Sequence, residues 1–178
     1  MRGEVLLEEY TCYYKSPLGV LAITGTADGV STIRYVHHFC PGELITSEFG
    51  RRFRADKLDL LPSPVYTCLV ELDRYFAGEL KEFSVKILPA GTEFQKKVWR
   101  AVQEIPYGCT VSYEEIARMI ENPKATRAVG NANHRNKLPL LIPCHRVIGK
   151  NRRLTGYNGG LWRKEWLLAH EKTHKDRN

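Results

Sequence analysis

The chain has 178 residues, of which 43% are hydrophobic and 26% charged, values typical of a globular protein. No apolar run approaches the roughly 20 residues that a membrane-spanning helix needs, and the glutamate-rich start does not resemble a secretory signal. We therefore expect no membrane partner. The five cysteines are odd in number and lack a CxxC pair, which disfavours a disulfide framework and favours a reducing compartment. A cytoplasmic location is expected, or a nuclear one if the source is eukaryotic.

The formal charge of +7 is unevenly distributed along the chain. Residues 1–90 contain 10 Lys+Arg against 12 Asp+Glu, a balance of −2, whereas residues 91–178 contain 17 against 8, a balance of +9. A basic half joined to a near-neutral half suggests that the second half faces a polyanion. On charge alone, a solvated basic surface is an equally good interpretation.

Residues 1–90 are predicted to form a small amino-terminal α/β domain. Three β-rich runs separated by Pro/Gly or Asp-Gly turns predict strands: residues 10–14, 20–24 and 30–36. Residues 37–62 have little periodicity and are interpreted mostly as loop. A further strand is expected at residues 83–88.

One helix is predicted within this first domain. Ser63 followed by Pro64 is typical of a cap with a first-turn proline, and Gly78 predicts the end of the helix. The Pro-Ala-Gly segment 89–91 is interpreted as the linker to the second domain.

Residues 91–178 are predicted to form a helical carboxy-terminal domain. A capping box at residues 92–95 precedes an apolar stripe that ends before the Pro-Tyr-Gly stop at 106–108. A second capping box, at residues 112–115, predicts a helix that runs through about Ile120.

The next helix is predicted from Lys124 to about Asn133, after a cap at Asn122 and a first-turn proline at Pro123. Two short helices joined by a tight turn form a helix-turn-helix pattern. The second helix combines small residues with the cations Lys124 and Arg127, which suits close approach to a surface and neutralisation of phosphates. A tightly packed alanine-rich helix is the alternative.

The strongest chemical signal lies where the apolar run 140–143 ends in Cys144, His145 and Arg146. A thiolate is a nucleophile, and nearby positive charge lowers the pKa of a cysteine. Adjacent side chains in a strand point to opposite faces, so contact between cysteine and histidine would need a turn or a bridging water. Taken alone, the pair is also compatible with a buried structural cysteine.

The segment Pro143-Cys144-His145-Arg146-Val147 resembles the PCHRV signature of the O6-alkylguanine-DNA alkyltransferase family, in which the cysteine accepts an alkyl group. The resemblance extends over residues 92–171, in family order. It includes the segments Ile105-Pro106-Tyr107-Gly108, Ser112 to Ala117, Asn122 to Gly130, Arg135-Asn136, Gly156 to Gly160 and Lys164 to Leu168. It implies a ribonuclease-H-like amino-terminal domain and a carboxy-terminal domain with a winged-helix-like helix-turn-helix.

The resemblance also implies a stoichiometric reaction. Cys144 would take the alkyl group from O6-alkylguanine, and from O4-alkylthymine, as an irreversible thioether. His145 would act as base through a water, with Glu171 as the carboxylate that orients it. Asn136 would brace the turn around the site, and Tyr113 would donate a proton or hydrogen bond to the guanine ring.

The substrate pocket that the resemblance implies is formed by main-chain and side-chain groups. The carbonyls of Cys144 and Val147 would accept hydrogen bonds from the exocyclic amine, and the N–H of Asn158 would bond O6. The remaining residues assigned to substrate binding are Pro139, Tyr157, Gly159 and Lys164.

The expected partner is double-stranded DNA that contains alkylated guanine, bound by a monomer. The base must leave the stack to react. By resemblance, Arg127 would fill the gap from the minor groove, where contacts carry little sequence information. The other residues assigned to DNA binding are Ser112, Lys124, Ala125, Thr126, Ala128 and Arg135.

Two positions depart from the family pattern: Thr126 stands where alanine is common, and Asn158 stands where a small residue is frequent. The second could narrow the pocket and change the range of adducts accepted. No cofactor and no metal are expected, because Cys12, Cys40, His37 and His38 do not reproduce the zinc-ligand pattern found in some amino-terminal domains of the family.

Three other functions compete with alkyl transfer. An alkyltransferase-like protein would bind the lesion without transfer, but those relatives lack the acceptor cysteine. A transcription regulator could use the helix-turn-helix, and a Cys-His hydrolase could turn over repeatedly. An added methyl on the intact protein after incubation with lesion DNA would separate alkyl transfer from all three.

Overall fold

The computed structural model describes residues 8–36 and 61–176. The chain divides into two compact units, Met1–Leu88 and Pro89–Asn178. No helix in the described part of the chain is both long enough and apolar enough to cross a membrane. The expected loop at 37–62 lies almost entirely outside the described residues, as do Cys40, His37 and His38.

The first unit is built on an antiparallel meander of three strands, in which each strand pairs with the next along the chain. The strands are β1 (Tyr10–Ser16), β2 (Gly19–Thr26) and β3 (Gly29–Tyr35). All three predicted strands are therefore confirmed, each slightly shifted or extended. One face is apolar: Cys12 pairs with Ile23, which pairs with Ile33, and all three side chains are buried.

Helix α1 (Ser63–Phe76) packs against this sheet. Its buried stripe includes Val65, Leu69 and Leu72, and the Tyr14 hydroxyl of β1 donates to the Asp73 carboxylate at 2.9 Å. The helix ends where predicted, because Gly78 adopts a φ of 77° and its N–H donates to the Tyr75 carbonyl.

Two predictions in the first unit are wrong. The residue that caps α1 is Pro62, whose carbonyl accepts from the N–H groups of Val65 and Tyr66, so Ser63 already lies inside the helix. Residues 83–88 form no strand but only a parallel bridge between Val30 and Ile87. The reason is that the buried Glu71 carboxylate accepts from the backbone N–H groups of Ser84 and Val85, which a strand would have used in its ladder.

The second unit is mostly helical, with short β and 3₁₀ segments between its helices. Its elements are α2 (Glu93–Gln103), β4 (Val111–Ser112), α3 (Tyr113–Met119), a 3₁₀ turn (Pro123–Ala125), α4 (Thr126–His134), a second 3₁₀ turn (Cys144–Arg146), β5 (Val147–Ile148) and α5 (Leu161–His174). Strands β4 and β5 pair in parallel. Both predicted capping boxes are present, Thr92 with Gln95 and Ser112 with Glu115.

The helix-turn-helix consists of α3 and α4, which pack against each other. Its second helix begins later than predicted. Asn122 makes no side-chain cap, and the Ala125 N–H donates to the Asn122 carbonyl, which tightens the first turn to a 3₁₀ turn before α4 starts at Thr126. The other end of α4 is held by Trp99, whose indole N–H donates to the Ala132 carbonyl at 2.9 Å.

Candidate active site and nucleic-acid interface

Cys144, His145 and Arg146 form a single 3₁₀ turn directly before β5. The Cys144 N–H donates to the Ile142 carbonyl at 2.7 Å, and the Arg146 N–H donates to the Pro143 carbonyl at 2.9 Å. Because the segment is a turn and not a strand, the cysteine and histidine side chains are not forced to opposite faces. All three residues are buried, with Cys144 5% exposed.

Two asparagines hold this turn from the preceding segment. The Asn136 amide donates to the Ile142 carbonyl at 2.9 Å, and its oxygen accepts from the Leu138 N–H at 2.9 Å. Asn133, at the end of α4, donates to the Cys144 carbonyl at 3.2 Å. Asn136 therefore lies where a brace is expected, and Asn133 adds a direct link between α4 and the cysteine.

Glu171 on α5 connects the turn to the end of α2. Its carboxylate, fully buried, lies 2.8 Å from His145 Nε2 and accepts from Arg146 Nε at 2.9 Å. It also accepts from the Gly108 N–H at 3.0 Å, while Arg146 Nη1 donates to the Ile105 carbonyl at 2.6 Å. Burial alone would raise the pKa of Glu171, but the hydrogen bonds from His145 and Arg146 hold it well below its usual range.

This arrangement selects one form of His145. Burial lowers the pKa of the imidazole, so it is neutral near pH 7, and the ionised Glu171 requires the proton on Nε2. Nδ1 is then an acceptor. It is buried, and within the described part of the chain no protein group bonds to it. The atom of His145 that can take up a proton is therefore Nδ1.

The electrostatics of Cys144 depend on Lys164. Burial raises the pKa of the Cys144 thiol, and the Asn136 hydrogen bond and the Lys164 charge act in the opposite direction. Lys164 Nζ is fully buried and donates to the carbonyls of Val147 at 2.6 Å and Thr155 at 2.8 Å. Burial lowers the pKa of Lys164 to about 8.

A neutral His145 cannot supply a positive charge beside the sulfur. The cation that acts on Cys144 is Lys164, and the resting cysteine is a thiol. Proton transfer to a base must therefore accompany its attack.

Tyr113, the first residue of α3, lies between Lys164 and α4. Its ring centroid is 5.9 Å from Lys164 Nζ, and its hydroxyl is 3.5 Å from the Thr155 carbonyl. A Cβ atom added to Gly130 of α4 would lie 3.9 Å from the Tyr113 ring. The glycine thus allows the helix backbone to approach the aromatic ring.

The residues assigned to substrate binding differ in exposure. Pro139, Tyr157 and Gly159 are buried, whereas Asn158 is exposed. The Cys144 carbonyl already accepts from the Asn133 amide and from the Val147 N–H, and the Val147 carbonyl accepts from Lys164.

The helix-turn-helix presents cations on its outer face. Among the residues assigned to DNA binding, Lys124, Arg127, Ala128 and Arg135 are exposed, and Ser112, Ala125 and Thr126 are half-buried. The hydroxyl of Ser112 is used as the cap of α3, where it accepts from the Glu115 N–H at 3.1 Å. The inner face of α4 is buried, so its outer face is the one available to a partner.

Three participants were not predicted from the sequence: Arg146, Asn133 and the backbone of residues 105–108. Their signals were present, since Arg146 adjoins His145 and residues 105–108 form one of the family segments. What was missing was their spatial relation to Glu171 and to the Cys144 carbonyl. In the described ranges, no three His, Cys, Asp or Glu side chains cluster as a metal site would require.

Comparison with known proteins supports one family over nearly the whole chain. Residues 10–89 match the ribonuclease-like domain of 6-O-methylguanine DNA methyltransferase, and residues 93–173 match the DNA binding domain of the same family.

Relatives match over most of their length. The methylated-DNA–protein-cysteine methyltransferase of Methanosarcina acetivorans is 45% identical over 91% of this chain and 97% of its own. The Mycobacterium leprae protein of the same name is 56% identical over 88% of each chain. The crystal structure of Mycobacterium tuberculosis OGT in complex with DNA superposes with a TM-score of 0.76 at 38% identity, covering 92% of this chain and 93% of that one.

Proposed function

The chain belongs to the 6-O-methylguanine DNA methyltransferase family, and on that premise we propose that it repairs DNA by moving the alkyl group of O6-alkylguanine onto Cys144. The observation that supports the proposal is the buried Glu171–His145 pair, in which His145 is neutral, its Nδ1 has no partner among the described residues, and Cys144 precedes it in the same 3₁₀ turn. O4-alkylthymine is a second substrate of the same chemistry.

In the proposed reaction, Cys144 Sγ attacks the alkyl carbon in line with the bond to O6. The S–C bond forms and the C–O6 bond breaks, with the bonding electron pair passing to guanine. The thiol proton passes through a bridging water to His145 Nδ1, and the resulting imidazolium is stabilised by the Glu171 carboxylate. The Tyr113 hydroxyl donates a proton or a hydrogen bond to the guanine ring, which makes guanine a better leaving group.

Lys164 has two roles in this proposal. Its ammonium group lowers the free energy needed to form the thiolate at Cys144. Its hydrogen bonds to the Val147 and Thr155 carbonyls hold the backbone that precedes Tyr157. The carbonyls of Cys144 and Val147 would accept hydrogen bonds from the exocyclic amine of guanine, and the Asn158 N–H would bond O6. Pro139 and Gly159 would complete the wall.

We propose that α4 engages the minor groove of double-stranded DNA. Its exposed cations and small residues support this orientation, and the +9 balance of residues 91–178 supports a polyanionic partner. Arg127 would occupy the space of the everted base, while Ala125, Thr126 and Ala128 approach the groove and Lys124, Arg135 and Ser112 contact the backbone.

The protein is proposed to act as a monomer, because one chain contains every group that the reaction uses. The thioether product has no easy hydrolytic route, so each molecule reacts once. Cys144 must be reduced, and the described cysteines are all free thiols. This favours the cytoplasm as the place of action.

The test is the intact mass of the protein after incubation with a duplex oligonucleotide that contains one O6-methylguanine. We expect a single added methyl group, located on Cys144 by peptide mapping, and no further addition with excess DNA. The Cys144→Ser variant is the control and should remain unmodified. An unchanged wild-type mass with a verified lesion would refute transfer and favour lesion binding alone.

A further inference from the structure

The segment from Tyr157 to Gly160, to which substrate binding is assigned above, leads directly into α5. It is closed by a hydrogen bond from the Gly160 N–H to the Tyr157 carbonyl at 2.9 Å. Gly160 has a φ of 92°, a conformation that side-chain-bearing residues rarely adopt. The conformation of this short segment determines where Tyr157 and Gly159 lie. It therefore determines the width of the pocket that these residues are proposed to line.

Two side chains at the start of α5 turn back onto this segment. Arg163 Nη1 donates to the Gly159 carbonyl at 2.5 Å. The Arg163 guanidinium also stacks over the Trp162 ring, 4.3 Å from its centroid. The indole in turn covers the backbone of Gly160, since a Cβ atom added there would lie 3.4 Å and 3.5 Å from indole Cδ1 and Nε1.

The exposure of Trp162 indicates that core packing does not explain this arrangement. The residue is 54% exposed, which is unusual for the largest apolar side chain. A planar guanidinium stacked on an aromatic ring is held in one orientation. Here that orientation directs an N–H group at the Gly159 carbonyl, so the stack limits the movement of the segment.

We propose that Trp162 and Arg163 are a positioning pair that restricts the size of the O6-alkyl group accepted by the site. The inference rests on the proposed function, because it assumes that Tyr157 and Gly159 form the pocket wall. With the pair intact, the segment from Tyr157 to Gly160 cannot move outward, and guanines with bulky O6-alkyl groups are disfavoured. Without it, the Gly159 carbonyl loses its donor, and the segment can move outward to admit a larger group.

The experiment compares single-turnover rates on two duplex oligonucleotides that differ only in carrying O6-methylguanine or O6-benzylguanine. For Trp162→Ala and Arg163→Ala we expect the benzyl-to-methyl rate ratio to rise about tenfold, the scale on which an apolar pocket discriminates between substrates. Trp162→Phe retains a ring for the guanidinium and should keep the wild-type ratio. Leu161→Ala, which removes the neighbouring exposed apolar side chain, is the matched control and should also keep it.

Several outcomes would overturn the inference. An unchanged ratio in both alanine variants would do so, as would a parallel fall of both rates, which would indicate a merely structural role. An equal change in Leu161→Ala would show that the effect is not specific to the pair. Failure of the proposed function is distinguishable, because in that case the wild-type protein takes no methyl group from the lesion at all.

Discussion

Glu171 is the residue whose contacts define the candidate site. One carboxylate joins an imidazole, a guanidinium and a backbone N–H that come from distant parts of the sequence. Burial alone would raise the pKa of Glu171, but its hydrogen bonds with His145 and Arg146 keep it ionised. Burial lowers the pKa of His145, and the charge of Arg146 acts in the same direction. A buried carboxylate with these partners orients a base without itself becoming protonated.

We predict that Glu171→Gln slows alkyl transfer by about 100-fold, because an amide can no longer stabilise the imidazolium that forms when His145 takes the thiol proton. The measurement is the single-turnover rate on O6-methylguanine duplex. Glu165→Gln, an exposed carboxylate on the same helix, is the matched control and should react at the wild-type rate. A variant at Glu171 that reacts as fast as the control would contradict the relay.

The pKa of Glu171 also predicts a pH dependence of stability. Its value in the folded protein lies below the ordinary 4.5, so the unfolded chain takes up a proton first as the pH falls below about 5. The stabilisation is therefore present above that pH and is lost as the pH falls through the folded-state pKa. Burial also lowers the pKa of His145 from 6.5. Its contribution to the free energy of unfolding is therefore likewise lost as the pH falls, beginning at about pH 7.

Urea denaturation at pH 7, 5 and 4 would measure this loss. The wild-type free energy of unfolding should fall across the series, and the fall from pH 5 to pH 4 should be smaller in Glu171→Gln, which has no carboxylate to protonate. Equal pH dependence in the two proteins would show that another group is responsible.

At the scale of the element, the two faces of α4 differ in role: one packs inside the second unit and the other is exposed. Its inner face, with Val129, Ala132 and Asn133, packs inward and reaches the Cys144 carbonyl, while its outer face carries Arg127. The small residue Gly130 lets the same helix lie against Tyr113. A helix of this composition can approach a surface closely while remaining anchored to the reactive turn.

For Arg127→Ala we predict a repair rate on duplex DNA that is lower by about tenfold or more, because the everted base is no longer replaced in the stack. Reaction with free O6-benzylguanine should be largely unchanged, since that substrate needs no eversion. Arg74→Ala, an exposed arginine in the first unit, is the control. Equal loss on both substrates would argue that Arg127 supports the site and not eversion.

At the scale of the whole molecule, charge is divided between the two units. Residues 91–178 carry the excess of cations, and residues 1–90 are slightly acidic. A polyanion should therefore bind through the second unit, with release of counterions.

We predict that affinity for unmodified duplex DNA falls linearly when its logarithm is plotted against the logarithm of salt concentration. The slope should correspond to several neutralised phosphates. Fluorescence anisotropy between 50 and 200 mM salt, roughly the range in which such contacts lose most of their affinity, measures it. Lys124→Gln should reduce the slope by about one, and a salt-independent affinity would contradict binding through the basic unit.

Local interactions account for what the sequence alone determined. Capping boxes join residues three apart, and hairpin strands follow their turns, so α2, α3 and the three-stranded sheet could be predicted. The adjacency of Cys144 and His145, within segments that resemble a known family, was enough to predict Cys144 as the reactive residue, which stays a prediction. The strand predicted at 83–88 failed because a distant carboxylate, Glu71, bound its backbone instead.

Tertiary packing alone decided the electrostatics of the site. Glu171 lies 26 residues from His145 and meets it only because α5 packs on the 3₁₀ turn. The same packing buries Lys164 beside Cys144, so a lysine and not the adjacent imidazole supplies the positive charge. Desolvation and Coulomb interactions depend on distance in space, which periodicity and spacing along the chain do not report.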